Sequence, residues 1–307
     1  MGDLPRIGIV DMGSNAIRFL VAEANQGAIG ILESHRLPVR LGRDVFHTGQ
    51  IPEATLADVV DAFRRFRATC DRHGVRHVRA IATSAMRDAR NRDLLVDRVR
   101  AAADIEIEVI SGTQEAYLLK LGVESKVDLS TGRSLLVDVG GGSVEVVLVE
   151  KGQVTSADSY RLGALRMLES LRDAEANGEN FVDLLHKHLK SLEHRIADRF
   201  EALRIDRYVA CGGNIDSLAD LVGARSSLRR TAGVDTCSLA EIQREVDELA
   251  KMSLADRMEK RGLKADRADT IVPAGIVYLH LGELAGVTDV LVPRVGIKDG
   301  LLTEVVQ

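Results

Sequence analysis

Residues 135–150, LLVDVGGGSVEVVLVE, decide the fold of this chain. Two apolar, β-branched runs flank a glycine turn, which is typical of a β-hairpin. Three consecutive glycines, Gly140 to Gly142, leave the backbone N–H groups of the turn bare, and such a loop can close around an anion. Asp138 stands at the mouth of the loop, where a carboxylate can hold a cation, and Glu145 follows early in the returning strand. The stretch therefore predicts a hairpin whose loop binds an anion and a cation together.

The same pattern occurs once more, in residues 7–21, IGIVDMGSNAIRFLV. When the two segments are aligned, Asp11 matches Asp138 and Arg18 matches Glu145, at an offset of 127 positions. A repeat at that distance indicates two similar domains, because solenoid repeats have periods of about 20–50 residues. Two glycine loops that face each other across a cleft can hold one phosphate chain between them. This is the central functional prediction from the sequence.

Length and composition set further bounds. The 307 residues suit two domains of about 150 residues each, and we predict an N-terminal domain over 1–126 and a C-terminal domain over 127–307 whose end returns to the first. A formal charge of −5, six Phe, four Tyr and no Trp argue against a nucleic-acid partner. No apolar run approaches the roughly 20 residues of a membrane span, and the N-terminus resembles no secretion signal. Three cysteines without metal-binding spacing indicate reduced thiols in a cytoplasmic protein. We expect no membrane partner.

The rest of the chain alternates between strand and helix patterns, which predicts mixed sheets with helices packed on them. A third strand is expected at 28–34, followed at 35–56 by an arginine-bearing loop over the cleft. The other predicted strands lie at 78–82, 105–110, 208–210 and 290–292, and the other predicted helices lie at 180–203, 215–221, 239–252 and 269–284, with a short helix from 296.

Particular residues predict where helices begin. Pro52 opens a helix that Gly74 stops, and Asn91 is expected to cap the helix that follows it. Ser111 and the glutamine three positions later have the spacing of a capping box, so Glu115 falls in the first turn of a helix. After Glu150 the sequence predicts polar turns.

Seven segments resemble, in the right order, motifs of the exopolyphosphatase/guanosine pentaphosphate phosphohydrolase (Ppx/GppA) family. They are IVDMGSNAIRFLV (9–21), ATSAMRDARN (82–91), ISGTQEAYLLKLGV (110–123), LLVDVGGGSVEVVLV (135–149), ACGGNIDSLADL (210–221), RADTIVPAGIVYL (267–279) and VGIKDGLL (295–302). The family is a branch of the actin-like ATPase and sugar-kinase superfamily. The resemblance therefore implies an α/β fold of two similar actin-like (ribonuclease H-like) domains, with mixed sheets flanked by helices and a cleft between them. It also implies a short-type member that lacks the C-terminal helical region of the longer ones.

The resemblance further implies roles for individual residues. Glu115 matches the catalytic glutamate that activates water, and Glu145 matches a second catalytic glutamate. Asp11, Asp138 and Glu145 are the implied ligands of a divalent metal, expected to be Mg²⁺. The implied phosphate-binding residues are Gly13, Ser14, Asn15, Arg87, Gly140, Gly141, Gly142 and Ser143. Without the resemblance, each charged residue has an ordinary structural interpretation, such as an early-helix glutamate, a turn aspartate or a surface arginine.

Two positions depart from the family pattern. Asn214 stands where many members have Thr, which puts a phosphate contact from that hydroxyl in question, and Gln114 stands where another Glu is frequent. Arg18 is expected either to line the cleft or to pair with an acid. Lys298 and Asp299 are interpreted as surface residues, and the histidine pairs as unrelated to a metal.

Four functions stay open at this point. The main prediction is metal-dependent removal of the terminal phosphate from inorganic polyphosphate, and the first alternative is hydrolysis of pppGpp or a nucleoside triphosphate at the same site. The others are a sensor that binds polyphosphate or pppGpp without turnover, and a kinase. Glu115 and Glu145 favour hydrolysis, because a sensor needs no base, and no kinase acceptor pocket is recognisable. The resemblance also implies a homodimer, for which the residues give no independent support.

Overall fold

The computed structural model describes residues 6–25, 28–176, 180–200, 204–226 and 228–306 of the chain. The first strands along the chain are β1 (Arg6–Met12), β2 (Ile17–Asn25), β3 (Ala28–Leu37), β4 (His77–Ala82) and β5 (Ile107–Val109). The helices of this part are α1 (Leu41–Thr48), α2 (Glu53–Arg72), α3 (Ser84–Asp88), α4 (Arg92–Ala103) and α5 (Gly112–Glu124).

These five strands form one mixed sheet in the order β3–β2–β1–β4–β5. Strands β1, β2 and β3 are antiparallel neighbours, whereas β4 runs parallel to β1 and β5 parallel to β4. Met12 pairs with Ile17 at the end of the first hairpin, so residues 13–16 form its loop. Helices α2 and α4 cover one face of the sheet, where Phe63 and Val99 are buried in the same cluster as residues of β1 and β2.

The second half of the chain forms a larger sheet. Its strands are β6 (Arg133–Val139), β7 (Val144–Glu150), β8 (Gln153–Tyr160), β9 (Arg207–Cys211), β10 (Arg229–Thr231), β11 (Val234–Ser238) and β12 (Asp289–Val292). Its helices are α6 (Ala164–Ala176), α7 (Phe181–Phe200), α8 (Gly213–Arg225), α9 (Leu239–Ala250), α10 (Leu254–Glu259), α11 (Ala265–Ala268), α12 (Ile271–Leu284) and α13 (Ile297–Val306).

The strand order of the second sheet is β8–β7–β6–β9–β12–β11–β10, and its first five strands repeat the order of the first sheet. Three antiparallel strands, β8, β7 and β6, are followed by β9 parallel to β6 and β12 parallel to β9. Asp11 pairs across the first hairpin with Arg18, and Asp138 pairs across the second with Glu145. The repeat that the sequence predicts is therefore confirmed, and with it the fold class of two mixed α/β sheets flanked by helices.

The last helix of the chain lies against the first sheet. Leu301 and Leu302 of α13 share one buried cluster with Ile9 of β1 and Leu118 of α5. The boundary between the domains, placed at residue 126, stays a prediction. Among the described residues, no helix is both long enough and apolar enough to cross a bilayer.

Several predictions of helix starts are confirmed. Pro52 is the N-cap of α2, which ends at Arg72, just before Gly74. The capping box at the start of α5 is complete: the backbone N–H of Gln114 donates to Ser111 Oγ over 3.2 Å, and Ser111 N–H donates to Gln114 Oε1 over 2.8 Å. The local sequence therefore fixes where α5 begins, and with it the position of its first turn.

The prediction of one loop over residues 35–56 is wrong. Strand β3 extends to Leu37, which pairs with Ile17 at the base of the hairpin loop, and α1 begins at Leu41. Helix α1 buries Leu41 and Val45, which span only one helical turn. A pattern this short does not distinguish a helix from a loop, particularly in a segment that contains two prolines and two glycines.

Other predictions also need correction. The segment after Glu150 folds as β8 and α6 rather than as turns, because β8 is an edge strand whose outer face tolerates polar residues. The short strands β10 and β11 were not predicted. Asn91 precedes α4 but does not cap it; its side chain instead makes two 2.9 Å hydrogen bonds to the backbone of Ile51. The predicted helix end at Leu203 lies outside the described residues.

The contact between α13 and α5 generates a stability prediction. A Cβ at Gly300 would overlap the backbone carbonyl of Leu118, which cannot move without shifting α5. We therefore expect Gly300→Ala to lower the free energy of unfolding by about 1–3 kcal/mol, the usual cost of overpacking, although alanine is the better helix former. Urea unfolding of the two proteins measures this difference.

Gly223 in α8 provides the control. It is exposed, and a Cβ there would meet only the end of the flexible Leu228 side chain. Gly223→Ala should leave stability unchanged or raise it by up to about 1 kcal/mol. Equal effects of the two substitutions would contradict the close packing of α13 on α5.

Candidate active site

A cavity of about 250 Å³ lies where the ends of β1 and β6 face each other. Its wall is formed by the two hairpin loops, by the turn between β9 and α8, and by residues 294–299 before and within α13. The predicted site residues that line it are Asp11, Gly13, Ser14, Asn15, Glu115, Asp138, Gly140, Gly141, Gly142, Ser143 and Glu145. Of the site residues predicted from the sequence, only Arg87 is not part of the wall. The fold thus brings together residues that lie more than one hundred positions apart in the chain.

The two glycine loops have the same turn and touch each other. Gly13 N–H donates to the carbonyl of Ala16 over 3.1 Å, and Gly140 N–H donates to that of Ser143 over 3.0 Å. A Cβ at Gly142 would lie 2.6 Å from Ser14 Oγ, so a larger residue would push the loops apart. None of the glycines from Gly140 to Gly142 has a positive φ. They are required for close approach rather than for an unusual backbone conformation.

Helix α5 carries Glu115 into the cavity on its first turn. The carboxylate is 2% exposed and pairs with the guanidinium of Arg87, which also donates to the carbonyl of Ile110 over 2.9 Å. Burial raises the pKa of Glu115, the Arg87 charge opposes this rise, and the nearby Asp11 and Asp138 add to it. Arg87 is therefore placed to adjust the basicity of Glu115.

Two more buried acids face each other across the second hairpin. Glu145 is 1% exposed and accepts a 2.9 Å hydrogen bond from Ser159 Oγ. Burial and the charge of Glu115 raise the pKa of Glu145. Asp138 is also buried, and burial together with the charge of Glu145 raises its pKa to about 7. This group of carboxylates is stable only when protons or cations offset its charge.

In the first hairpin the equivalent acid has a fixed partner. Arg18 Nη1 donates to Asp11 Oδ2 over 3.0 Å, and both residues line the cavity. Each of the two expectations for Arg18, that it lines the cleft and that it pairs with an acid, therefore describes it correctly.

Comparisons with known proteins agree with this arrangement. Residues 20–307 match the profile of the Ppx/GppA phosphatase family. This chain belongs to that family. It is 30% identical over 274 residues to Exopolyphosphatase 1 of Mycobacterium tuberculosis, covering 89% of this chain and 80% of that protein. It is 24% identical over 306 residues to a guanosine-5'-triphosphate,3'-diphosphate pyrophosphatase of Vibrio vulnificus, covering 99% of this chain and 60% of that protein.

Solved structures of the Ppx/GppA family have the same fold. An exopolyphosphatase from Cytophaga hutchinsonii superposes with a TM-score of 0.88 at 26% identity, covering 98% of this chain and 97% of that one. A Ppx/GppA family member from Aquifex aeolicus superposes with a TM-score of 0.80 at 23% identity, covering 99% and 98% of the two chains. The second comparison bears on the fold alone.

Several cavity residues of this Ppx/GppA chain were missed or misjudged from the sequence. Lys298 and Asp299, interpreted as surface residues, line the cavity at the start of α13. Arg36, expected in the arginine-bearing segment over the cleft, also lines it, as do Asp216 and Arg267, which were not proposed as site residues. The signal that points to Asp216 is the glycine pair at the carboxyl end of β9, because ligands of open α/β sheets bind where strands end and helices begin. Arg36 and Arg267 reach the cavity only through tertiary contacts.

The carboxylates fit a divalent cation. No group of three or more His, Cys, Asp or Glu side chains in the described part of the chain forms a ready-made metal site. Mg²⁺, however, is usually held by one or two carboxylates together with waters and substrate phosphates. Asp11, Asp138 and Glu145 supply such oxygens, and Asp216 adds a buried Oδ1 atom that accepts no hydrogen bond from the described residues. The donor set is therefore suited to Mg²⁺.

The buried Asp138 makes stability depend on pH. Its pKa is about 7 in the folded protein, against an ordinary value of 3.8. The folded state thus holds a proton at pH values where the unfolded chain has lost it, so this group's contribution to stability falls as the pH rises from about 4 to 7. In EDTA, Asp138→Asn should raise the free energy of unfolding at pH 8 relative to wild type, by up to about 4 kcal/mol, and have little effect at pH 4.

Urea unfolding at the two pH values measures this effect. Asp61→Asn is the matched control, because Asp61 is an exposed acid of α2. It should not change the pH dependence. An Asp138→Asn variant that loses the same stability at both pH values would contradict the burial of an uncompensated charge.

Proposed function

We propose that this chain is an exopolyphosphatase, a metal-dependent hydrolase that releases orthophosphate from the end of inorganic polyphosphate. The observation that carries the proposal is the buried Glu115, which lines the same cavity as two glycine loops of the kind that binds phosphate. A base needs a pKa near the working pH, and burial moves the pKa of Glu115 upward from that of an ordinary glutamate. The names of the relatives agree with this activity.

In the proposed reaction, Glu115 accepts a proton from water while the water oxygen attacks the terminal phosphorus. The bond between that phosphorus and the bridging oxygen breaks, orthophosphate leaves, and the chain is shortened by one phosphate. Glu145, held by Ser159, positions the same water and would help to hold the metal. Positioning and charge stabilisation supply most of the catalysis in phosphoryl transfer.

The remaining residues bind phosphate oxygens and offset their charge. Residues 14, 15 and 141–143 line the cavity, and the backbone N–H groups of such loops are suited to donate to phosphate oxygens. Asp11, Asp138 and Glu145 would hold Mg²⁺, which as a Lewis acid neutralises charge on the phosphoryl oxygens. Arg87 orients Glu115 in the free protein through their ion pair. It can bind the terminal phosphate only when this ion pair breaks.

Hydrolysis of pppGpp is the second candidate. Relatives named as guanosine-5'-triphosphate,3'-diphosphate pyrophosphatases match almost the whole of this chain. Both substrates offer a terminal phosphoanhydride, so the same catalytic residues serve either one. If the protein binds these compounds but releases no phosphate from them, it is a sensor rather than a hydrolase.

The central test is Glu115→Gln, which keeps the side-chain shape but removes the base. We expect phosphate release from defined-length polyphosphate and from pppGpp, measured with Mg²⁺, to fall by about 10²–10⁴-fold. The wild type in EDTA should also lose activity. Glu124→Gln is the matched control, since Glu124 lies on the same helix but is exposed and pairs with Lys120.

Two results would contradict the proposed function. One is a Glu115→Gln variant that is as active as wild type. The other is a wild type that binds polyphosphate or pppGpp tightly but releases no phosphate from either, which would favour the sensor.

Arg87 generates a prediction about pH. Its positive charge lowers the pKa of Glu115, so replacing it with the uncharged methionine should raise that pKa further. Because the base works only when deprotonated, the acid limb of kcat/KM against pH should move to higher pH in Arg87→Met. Arg87→Lys, which keeps the charge, should shift it less. An unchanged acid limb in both variants, with activity retained, would show that Arg87 does not set the basicity of Glu115.

A further inference from the structure

The first turn of α6 holds the carbonyl groups of the second glycine loop. The backbone N–H of Ala164 donates to the carbonyl of Gly140 over 2.9 Å. The backbone N–H of Arg166 donates to the carbonyl of Gly141, also over 2.9 Å. The third carbonyl, that of Gly142, accepts a 2.7 Å hydrogen bond from Nε of the Arg166 side chain. All three glycine carbonyls therefore point toward α6.

The direction of these carbonyls decides where the N–H groups of the loop point. No peptide bond of the described residues is cis. In a planar trans peptide the C=O and the next N–H point in opposite directions, so a carbonyl that faces α6 turns the following N–H away from it. The following residues, Gly141, Gly142 and Ser143, line the cavity, and their N–H groups donate to no other described residue. Successive N–H groups on one side of a loop are suited to bind an anion.

Contacts with the first half of the chain fix the guanidinium of Arg166. Its Nη2 donates to Ser84 Oγ of α3 over 2.9 Å and pairs with Asp88 of the same helix over 2.7 Å. The guanidinium carbon lies 3.8 Å from the centre of the Phe46 ring of α1, which is the geometry of a cation–π contact. Only 12% of the Arg166 side chain is exposed. Nε therefore meets the carbonyl of Gly142 in one fixed orientation.

The peptide between Gly142 and Ser143 is closely surrounded by protein. A Cβ at Gly142 would lie 2.5 Å from the Phe46 ring and 2.6 Å from Ser84 Oγ, and a Cβ at Gly163 would overlap the backbone nitrogen of Gly142. Because little space is left for water, the orientation of this peptide depends on its direct protein contacts. Arg166 itself does not line the cavity, so it acts on a bound anion through this peptide.

We propose that Arg166 is a positioning residue, which holds the carbonyl of Gly142 so that the N–H of Ser143 donates to a phosphate oxygen of the substrate. The inference rests on the proposed function in taking the anion at this loop to be a condensed phosphate. A hydrogen bond to a charged phosphate oxygen is stronger than one between neutral groups. Lysine does not replace Arg166, because the contacts to Gly142 and Asp88 use two different nitrogens and lysine has one.

The test measures tripolyphosphate binding by calorimetry, in Mg²⁺ and at fixed ionic strength. All proteins carry Glu115→Gln, so that tripolyphosphate is not consumed. Adding Arg166→Gln should weaken binding by about 10–100-fold, as for loss of a hydrogen bond to a charged group. Arg166→Lys should weaken it nearly as much, although it keeps the charge. The number of binding sites per chain should stay unchanged, because a variant that only misfolds loses sites and keeps the affinity of those that remain.

Arg161→Gln is the matched control. Arg161 pairs with the same oxygen of Asp88 over 2.8 Å, but its side chain is 72% exposed. The substitution removes the same charge beside the same acid without touching the glycine loop, and it should change the affinity by no more than about twofold. Asp88 keeps one arginine in either variant, so neither leaves it unpaired. Thermal unfolding shows whether each variant is folded, and Arg166→Lys serves if Arg166→Gln is not.

Three results would overturn the inference: an unchanged affinity of Arg166→Gln for tripolyphosphate, an Arg166→Lys variant that binds as tightly as the parent, or an equal loss in Arg161→Gln. The last two would mean that the charge matters rather than the hydrogen bond to Gly142. Failure of the proposed function looks different. If tripolyphosphate binding depends on Arg166 but the wild type releases no phosphate from it, hydrolysis is refuted and the positioning role of Arg166 stands.

Discussion

The mutual burial of carboxylates in one small cavity is the constraint on which the rest of the structure depends. Asp138, Glu145 and Glu115 are nearly inaccessible to water, and their charges raise one another's pKa. Buried like charges are stable only with protons, fixed cations or a bound ion beside them. Arg18 and Arg87 supply two fixed cations. The proposed Mg²⁺ would offset the remaining imbalance, and the raised pKa of Glu115 agrees with its proposed role as a base.

The repeated hairpin explains both the symmetry of the site and its asymmetry. The same cross-strand position holds Arg18 opposite Asp11 in the first hairpin and Glu145 opposite Asp138 in the second. The first pair is therefore an ion pair, and the second is a pair of acids. A single fold element, used twice, thus gives one hairpin whose charges are compensated and one in which two acids share a buried position. The contact between the glycine loops keeps the two hairpins together.

Much of this arrangement is visible in the sequence because it depends on local patterns. The strand–glycine–strand repeat predicts both hairpins and their loops, and the capping box predicts that Glu115 opens α5. Features that depend on tertiary contacts are not visible. Arg267 reaches the cavity because Asn214, distant in sequence, orients it. The sequence does not distinguish Lys298 from an ordinary helix-surface residue, because it lines the cavity only once α13 packs against α5. Edge strand β8 escapes prediction because its exposed face does not require apolar residues.

The most direct test of the account is hydrolysis of tripolyphosphate in water enriched in oxygen-18, followed by mass spectrometry of both products. Attack of water on the terminal phosphorus predicts one labelled oxygen in each released orthophosphate and none in the pyrophosphate that remains. Label in the pyrophosphate would mean that water attacks an inner phosphorus. That result would contradict the placement of the chain end at Glu115, and with it the proposed function of this cavity.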